Sequence, residues 1–252
     1  MESEKRTGCE MAAAEKSSSE ITAAIVLAAG KGARMESPVH KQYMEVDGKP
    51  LLYYGLRAFE KSSVNRIILV AGPGETEYCQ KEIVEKYGFL KVAAITEGGK
   101  ERYHSVYEGL KAAKGCDYVL IHDGARPCIT VQTIESAIDG AKKYRACVVG
   151  MPVKDTIKIS DENEFAASTP DRSRLWLIQT PQSFAYGLVW EAYEKLMSSP
   201  KFQEGITDDA MVVETMTKEK VKLIRGDYAN IKVTTPEDME IVRAFMKKNA
   251  EK

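Results

Sequence analysis

Apolar residues recur along this chain in short dense bursts separated by stretches of helical spacing. Ala24-Ile25-Val26-Leu27, Arg66 to Ala71, Lys91 to Ile95, Tyr118 to His122 and Ala146 to Gly150 form the bursts. Runs of this length, bounded by glycine, proline or aspartate, predict buried strands. Between the first two, Asp47-Gly48 marks a turn, and Pro50 suits the first position of a helix with Leu52, Leu56 and Phe59 on one face. The same spacing predicts a helix over 75–87, with Ile83, Val84 and Tyr87 apolar. Another holds Ser105, Val106, Leu110 and Ala113, and a third runs from a Thr130 cap to about Tyr144. Strands alternating with helices imply an α/β fold, a mostly parallel sheet with helices on both faces. Ligands of such sheets gather at the carboxyl ends of the strands.

Residues 151 to 183 break the alternation. Met151 to Ile159 reads as one limb of an extended arm, Asp161-Glu162-Asn163 as its turn, and Thr169 to Trp176 as the return. An arm over about 152–180 that carries apolar residues needs cover, most simply from a second subunit. Helices are predicted from about Gly187 to Met197 and over 208–216, the latter capped by Thr207-Asp208-Asp209. Val221-Lys222-Leu223-Ile224 and Asn230-Ile231-Lys232-Val233-Thr234 read as strands, and Thr235-Pro236-Glu237-Asp238 opens a last helix. Residues 1–20 are small and polar, with no apolar core of a secretory signal; they predict a disordered tail ahead of one domain over 21–252.

Composition narrows the function more than the fold. With 252 residues, 44% hydrophobic and 29% charged, the chain is ordinary for a soluble globular protein. A formal net charge of −1 offers no global field for nucleic acid or anionic membrane. Anion binding therefore requires locally gathered cations. Cys9, Cys79, Cys116, Cys128 and Cys147 are an odd set without CxxC spacing, which predicts reduced thiols in the cytoplasm and no zinc site. No apolar run approaches the length of a membrane span.

The first strand breaks into Ala28-Ala29-Gly30-Lys31-Gly32-Ala33-Arg34, with Lys41 and Gln42 just beyond. Small residues allow close approach of backbone to ligand, and successive N–H groups cradle an anion. Lys31, Arg34 and Lys41 bring cations to the same place, which is the chemistry a triphosphate requires. The loops after the third and fourth strands add Gly98-Gly99-Lys100-Glu101-Arg102 and Asp123-Gly124-Ala125-Arg126.

These stretches, with HKQY at 40–43, PVKDTIK at 152–158, TPDRSRLW at 169–176, QTPQSF at 179–184, ITDDA at 206–210 and NIKVTTPEDM at 230–239, share one ordered pattern. Over roughly residues 22 to 245 it resembles the 2-C-methyl-D-erythritol 4-phosphate cytidylyltransferase family. The resemblance implies a Rossmann-like sheet with a projecting β-arm, transfer of CMP from CTP to methylerythritol phosphate with release of pyrophosphate, and a place in non-mevalonate isoprenoid synthesis. It also implies Mg²⁺, held mainly by the CTP phosphates, and a homodimer formed through the arm. Residue by residue, Arg34 and Lys41 match the cations on the triphosphate, with the backbone of Ala28, Ala29, Gly30 and Gly32 as cradle. Gly98, Gly99, Arg102 and Ser105 match the base-recognition loop. Asp123 and Arg126 fall between nucleotide and sugar phosphate. The acceptor phosphate is expected between Arg172, Lys232 and Thr156, with Thr180 and Thr207 nearby and Arg172 donated by the partner subunit. Many family members carry proline before the motif lysine, where this chain has Val39-His40.

Plainer readings stand beside several of these. Arg126 suits an ion pair that holds its loop, Lys232 a sheet-edge lysine, and Thr180 and Thr207 caps or turns. His104 and His122 are read as structural, since positioning and charge neutralisation carry such a reaction. A ribitol 5-phosphate cytidylyltransferase shares the nucleotide half of the pattern. A catalytically inactive nucleotide-binding regulator predicts loss of Arg34, Lys41, Arg172 or Lys232, and all are present. A dinucleotide oxidoreductase lacks support, because the loop is not GxGxxG and the acids follow it too soon.

Overall fold

The computed structural model describes residues 20–30 and 40–250, with side chains to residue 247. Lys31, Gly32 and Arg34 of the cation loop lie outside the described residues, as does all but Glu20 of the N-terminal tail. In chain order the elements are β1 (Thr22–Ala28), β2 (Glu45–Val46), β3 (Lys49–Pro50), α1 (Leu51–Lys61) and β4 (Arg66–Ala71). A short helix, α2 (Thr76–Tyr78), continues as a π-helix over Cys79–Glu85. Then come β5 (Val92–Glu97), α3 (Arg102–Ala112), β6 (Tyr118–Asp123), α4 (Val131–Tyr144) and β7 (Ala146–Pro152). The arm holds β8 (Ile159–Ser160) and β9 (Ala166–Ser168), and the chain returns through β10 (Trp176–Ala185), α5 (Tyr186–Met197), α6 (Asp209–Thr217), β11 (Lys222–Arg225) and α7 (Pro236–Ala250).

The main sheet has seven strands in the order β11-β7-β10-β6-β1-β4-β5. β1 pairs in parallel with β4 and β6, β4 with β5, and β7 with β11, whereas β10 is antiparallel to β6 and β7. Alternation sets the two faces. Ala24, Val26 and Ala28 of β1 join Leu52, Leu56, Phe59 and Ile134 on one side. Ala23 and Ile25 join Val106, Leu110, Val189, Tyr193 and Val212 on the other. Strands buried on both faces explain the near-continuous apolar runs. A smaller cluster of Val46, Leu51, Val233, Met239 and Val242 seats α7 against the β2–β3 hairpin. Asp47 and Gly48 turn that hairpin with φ of 51° and 72°, so the Asp-Gly signal marks a two-residue turn, and Pro50 ends β3 rather than starting the helix.

Two segments differ from the sequence reading. Residues 230–234 are not a strand. Val233 N–H donates to Ala125 O, while Asn230 and Ile231 close local turns on Asp227 and Ala229, so the segment follows the loop after β6 instead of a sheet edge. β10 fills the centre of the sheet although Gln179, Thr180, Pro181 and Gln182 interrupt its apolar pattern; its register shifts between Ile178 and Gln182.

The carboxyl ends of β1, β4, β5 and β6 lie along one edge, with Ala28 beside Ala71 and Leu27 beside Asp123. The chain order reverses between β1 and β6, the point at which such sheets open a crevice.

Candidate active site

A cavity of about 630 Å³ opens over that edge, lined by Ala29, Gly30, Lys41, Gln42, Pro73, the 98–102 loop, Ser105, Asp123, Ala125 and Lys232. Five chain segments far apart in sequence thus meet over the strand ends. The 98–102 loop owes its course to missing side chains. A Cβ on Gly98 would stand 2.5 Å from Ala29 Cβ and 2.6 Å from Ser105 Oγ, and one on Gly99 would stand 2.3 Å from His104 Cβ. Gly98 N–H donates to Ala71 O at 2.8 Å and Gly99 N–H to Ser105 Oγ at 3.1 Å. Glu101 and His104 close a reciprocal cap on α3, with Glu101 N–H donating to His104 Nδ1 at 3.2 Å.

Asp123 sits at the end of β6, 7% exposed. Its Oδ1 is 3.3 Å from Arg102 Nε, and its Oδ2 is 2.9 Å from Lys232 Nζ and 3.7 Å from Arg126 Nε. Burial pushes this carboxyl up, and the charges of Arg102, Lys232 and Arg126 more than reverse it, holding Asp123 ionised far below the usual carboxylate range. Arg102 in turn forks onto Asp209, Nη1 to Oδ1 at 2.7 Å and Nη2 to Oδ2 at 2.8 Å. Asp209 is fully buried and also accepts from Tyr193 Oη at 2.5 Å. The planar guanidinium therefore spans two carboxylates, one inside the protein and one on the cavity wall.

His122, beside Asp123, is fully buried. Its Nε2 is 3.3 Å from Arg126 O and its Nδ1 3.0 Å from Thr180 Oγ1. A carbonyl only accepts, so Nε2 carries the proton and Nδ1 accepts from the Thr180 hydroxyl. The same Oγ1 accepts from Asp123 N–H at 3.1 Å. Burial pushes the imidazole down to about 4, so it is neutral at pH 7. His122 and Thr180 thus hold the strand end on which Asp123 stands.

Of the predicted site residues, Ala29, Gly30, Lys41, Gly98, Gly99, Arg102, Ser105, Asp123 and Lys232 line the cavity. Ala28 is buried beneath it, and its carbonyl accepts from Gln42 Nε2 at 2.5 Å. Arg126 stands behind Asp123 and donates through Nη1 to Asn230 O at 2.8 Å, while its Nε is buried without a hydrogen-bond partner. Thr180 is buried in β10, and Thr207 is exposed ahead of α6. Thr156 and Arg172 lie exposed on the arm, apart from the cavity lining, and Arg172 Nη1 donates to Lys154 O at 2.8 Å. Gly32 and Arg34 lie outside the described residues. Asp209 and Tyr193 were missed as site residues: ITDDA reads first as a helix cap, and only the fold shows that its second aspartate reaches Arg102.

No group of three or more His, Cys, Asp or Glu side chains gathers to hold a metal among the described residues. Cys79, Cys116, Cys128 and Cys147 are free thiols.

A family model described as 2-C-methyl-D-erythritol 4-phosphate cytidylyltransferase matches residues 22–248. The protein of that name from Lachnoclostridium phytofermentans is 50% identical over 226 residues, spanning 90% of this chain and 96% of its own. The one from Lachnospira eligens is 51% identical over 225 residues, spanning 89% and 98%. The crystal structure of 4-diphosphocytidyl-2C-methyl-D-erythritol synthase from Anaerococcus prevotii is similar to this fold with a TM-score of 0.79 at 34% identity, over 90% of this chain and 96% of that one.

Proposed function

The chain belongs to the 2-C-methyl-D-erythritol 4-phosphate cytidylyltransferase family, and from that membership we propose how its cavity carries out the reaction. The enzyme transfers CMP from CTP to methylerythritol phosphate and releases pyrophosphate, as a step of non-mevalonate isoprenoid synthesis. Two polyanions must meet in line at the α-phosphorus. Neutralising and aligning them is most of the catalytic task.

The observation that carries this reading is the ring of cations and glycine backbone around Asp123. Lys41 and Arg34 hold the triphosphate, with the backbone from Ala28 to Gly32 against it. Gly98 and Gly99 present backbone to the cytosine edge, and their packing leaves no room for a side chain there. Ser105 fixes that loop from beneath. Lys232 serves the acceptor phosphate, joined by Thr156 and Arg172 from the arm. The partners of Arg102, Arg126 and Thr180 support a role in holding Asp123 and its loop, and Thr207, exposed ahead of α6, is assigned to the acceptor side.

Asp123 and Glu101 are the carboxylates among the described lining residues, and both oxygens of Asp123 already face cations. That sparse donor set fits an ion carried chiefly by the nucleotide, with Asp123 as the side chain that reaches it or its water shell. Mg²⁺, when bound, withdraws negative charge from the phosphates.

The arm exposes Ile157, Ile159, Phe165, Leu177 and Ile178, which supports a homodimer formed across it. No described helix is long and apolar enough to cross a membrane. With near-neutral net charge and reduced cysteines, the cytoplasm is the compartment we assign, without nucleic-acid partners.

Pyrophosphate release from CTP and Mg²⁺, with methylerythritol phosphate and ribitol 5-phosphate offered separately, tests the assignment. Release with the first is expected. Release with ribitol phosphate alone would overturn the acceptor half, and release with neither would favour the inactive regulator.

A further inference from the structure

Lys41 and Gln42 enter the cavity from a single turn of 3-10 helix, Lys41–Tyr43. Three residues held by two backbone bonds, Tyr43 N–H to His40 O and Met44 N–H to Lys41 O, do not fix their own position. Something must set where this turn stands relative to the strand ends. On its inner side, Gln42 donates to Ala28 O. On its outer side, one carboxylate takes both ends. Glu75 Oε1 lies 2.6 Å from His40 Nδ1, and Glu75 Oε2 accepts from Tyr43 Oη at 2.9 Å. His40 and Tyr43 flank Lys41, and their rings lie nearly parallel with centroids 6.4 Å apart.

Glu75 is itself anchored. It follows the Gly72-Pro73-Gly74 loop after β4, and Pro73 lines the same cavity. Its Oε2 also accepts from Gly72 N–H at 3.2 Å. A Cβ on Gly72 would meet that oxygen at 2.5 Å, so the glycine is what lets the carboxylate fold back onto the loop. Tyr43 Oη is 3.2 Å from Cys79 Sγ at the start of the π-helix. Since the phenol proton goes to Glu75, the buried thiol donates to the phenol oxygen. The contacts run from Cys79 of the π-helix through Tyr43 and Glu75 to His40, around the residue assigned to the triphosphate.

We propose that Glu75 is the positioning residue for Lys41, stapling both ends of the turn that carries it to the rim of the cavity. His40 supplies one end of the staple, immediately before Lys41 in the chain. The inference rests on the reading of Lys41 as a triphosphate contact, and a double-mutant cycle separates the two. Initial rates are measured for the parent, Lys41→Ala, Glu75→Gln and the double variant, with CTP and methylerythritol phosphate varied in turn.

Lys41→Ala should lower turnover at least about tenfold. Glu75→Gln should lower kcat/KM for CTP by about tenfold in the parent and by less than about twofold in the Lys41→Ala chain, with KM for methylerythritol phosphate unchanged in the parent. An equal factor in both backgrounds would mean that Glu75 acts elsewhere and would overturn the proposal. So would parent-like kinetics in Glu75→Gln. Full activity in Lys41→Ala would instead remove the reading of Lys41 on which the staple depends. Should Glu75→Gln melt well below the parent, Tyr43→Phe, which deletes one hydroxyl, goes through the same cycle with the same criterion.

Discussion

Three cations, Arg102, Arg126 and Lys232, face two carboxylates, Asp123 and Asp209, so the polar cluster behind the cavity carries one net positive charge before Lys41 is counted. Its geometry depends on His122 remaining neutral. A proton on Nδ1 would set donor against donor at Thr180 and place a positive charge beside Arg126. The imidazole sits at about 4 in the fold against 6.5 when solvated. Between those values the unfolded chain binds a proton that the folded chain refuses, so stability rises with pH across the window. This contribution is complete above about pH 6.5, is lost as pH falls towards 4, and amounts to about 3 kcal/mol at most. Urea midpoints at pH 7 and pH 5 should show the parent losing stability, and His122→Gln, though weaker at pH 7, should lose less between the two. Equal losses would place the titration elsewhere.

Helix α3 carries the glycine loop and Arg102, and it approaches β1 through Gly109. A methyl there would stand 2.4 Å from Ile25 Cγ2 and 3.1 Å from Val70 Cγ2, both in the buried face of the sheet. Alanine gains up to about 1 kcal/mol of helix propensity over glycine. Overpacking a filled core costs about 1–3 kcal/mol. The steric loss outweighs the gain, so Gly109→Ala should lower the melting temperature and, by tilting α3, raise KM for CTP. A melting temperature at or above the parent's would show that the helix has room to shift. β1, β4, β6 and β7 were legible because both their faces are buried in apolar neighbours, and the 98–102 loop because glycine marks close approach. β10 was not, because Gln182 and Thr180 satisfy their burial through Asp208, Ala210, His122 and Asp123, partners visible only in the fold. Residues 230–234 misled because alternating Ile231 and Val233 imitate a strand, whereas Val233 belongs to the cluster under α7. The Arg102–Asp209 fork joins residues 107 apart, beyond any local pattern.

At the scale of the whole molecule, Lys41, Gly98, Gly99, Arg102 and Ser105, proposed for the nucleotide, line the cavity, while Arg172 and Thr156 stand on an exposed arm beyond its lining. Phe165 is 72% exposed and Ile159 54%, and side chains of that size gain most of their burial energy only against another surface. In the proposed homodimer a second copy of the chain would supply that surface and set its Arg172 near the neighbour's Lys232, so that each acceptor site would draw on two chains. The consequence is testable by mixing. Arg172→Ala and Lys41→Ala are each expected to be nearly inactive. In a mixed dimer, one of the two sites combines an intact Lys41 with the Arg172 donated by the other chain, while the second site lacks both. Random pairing of equal amounts makes about half of the dimers mixed, and half of the sites in those are whole, so about a quarter of parent activity should return. Recovery at that level, with mixed dimers shown by mass, assigns Arg172 to the partner's site. Mixed dimers without recovery would place Arg172 with its own chain's cavity, through closure of the arm over it.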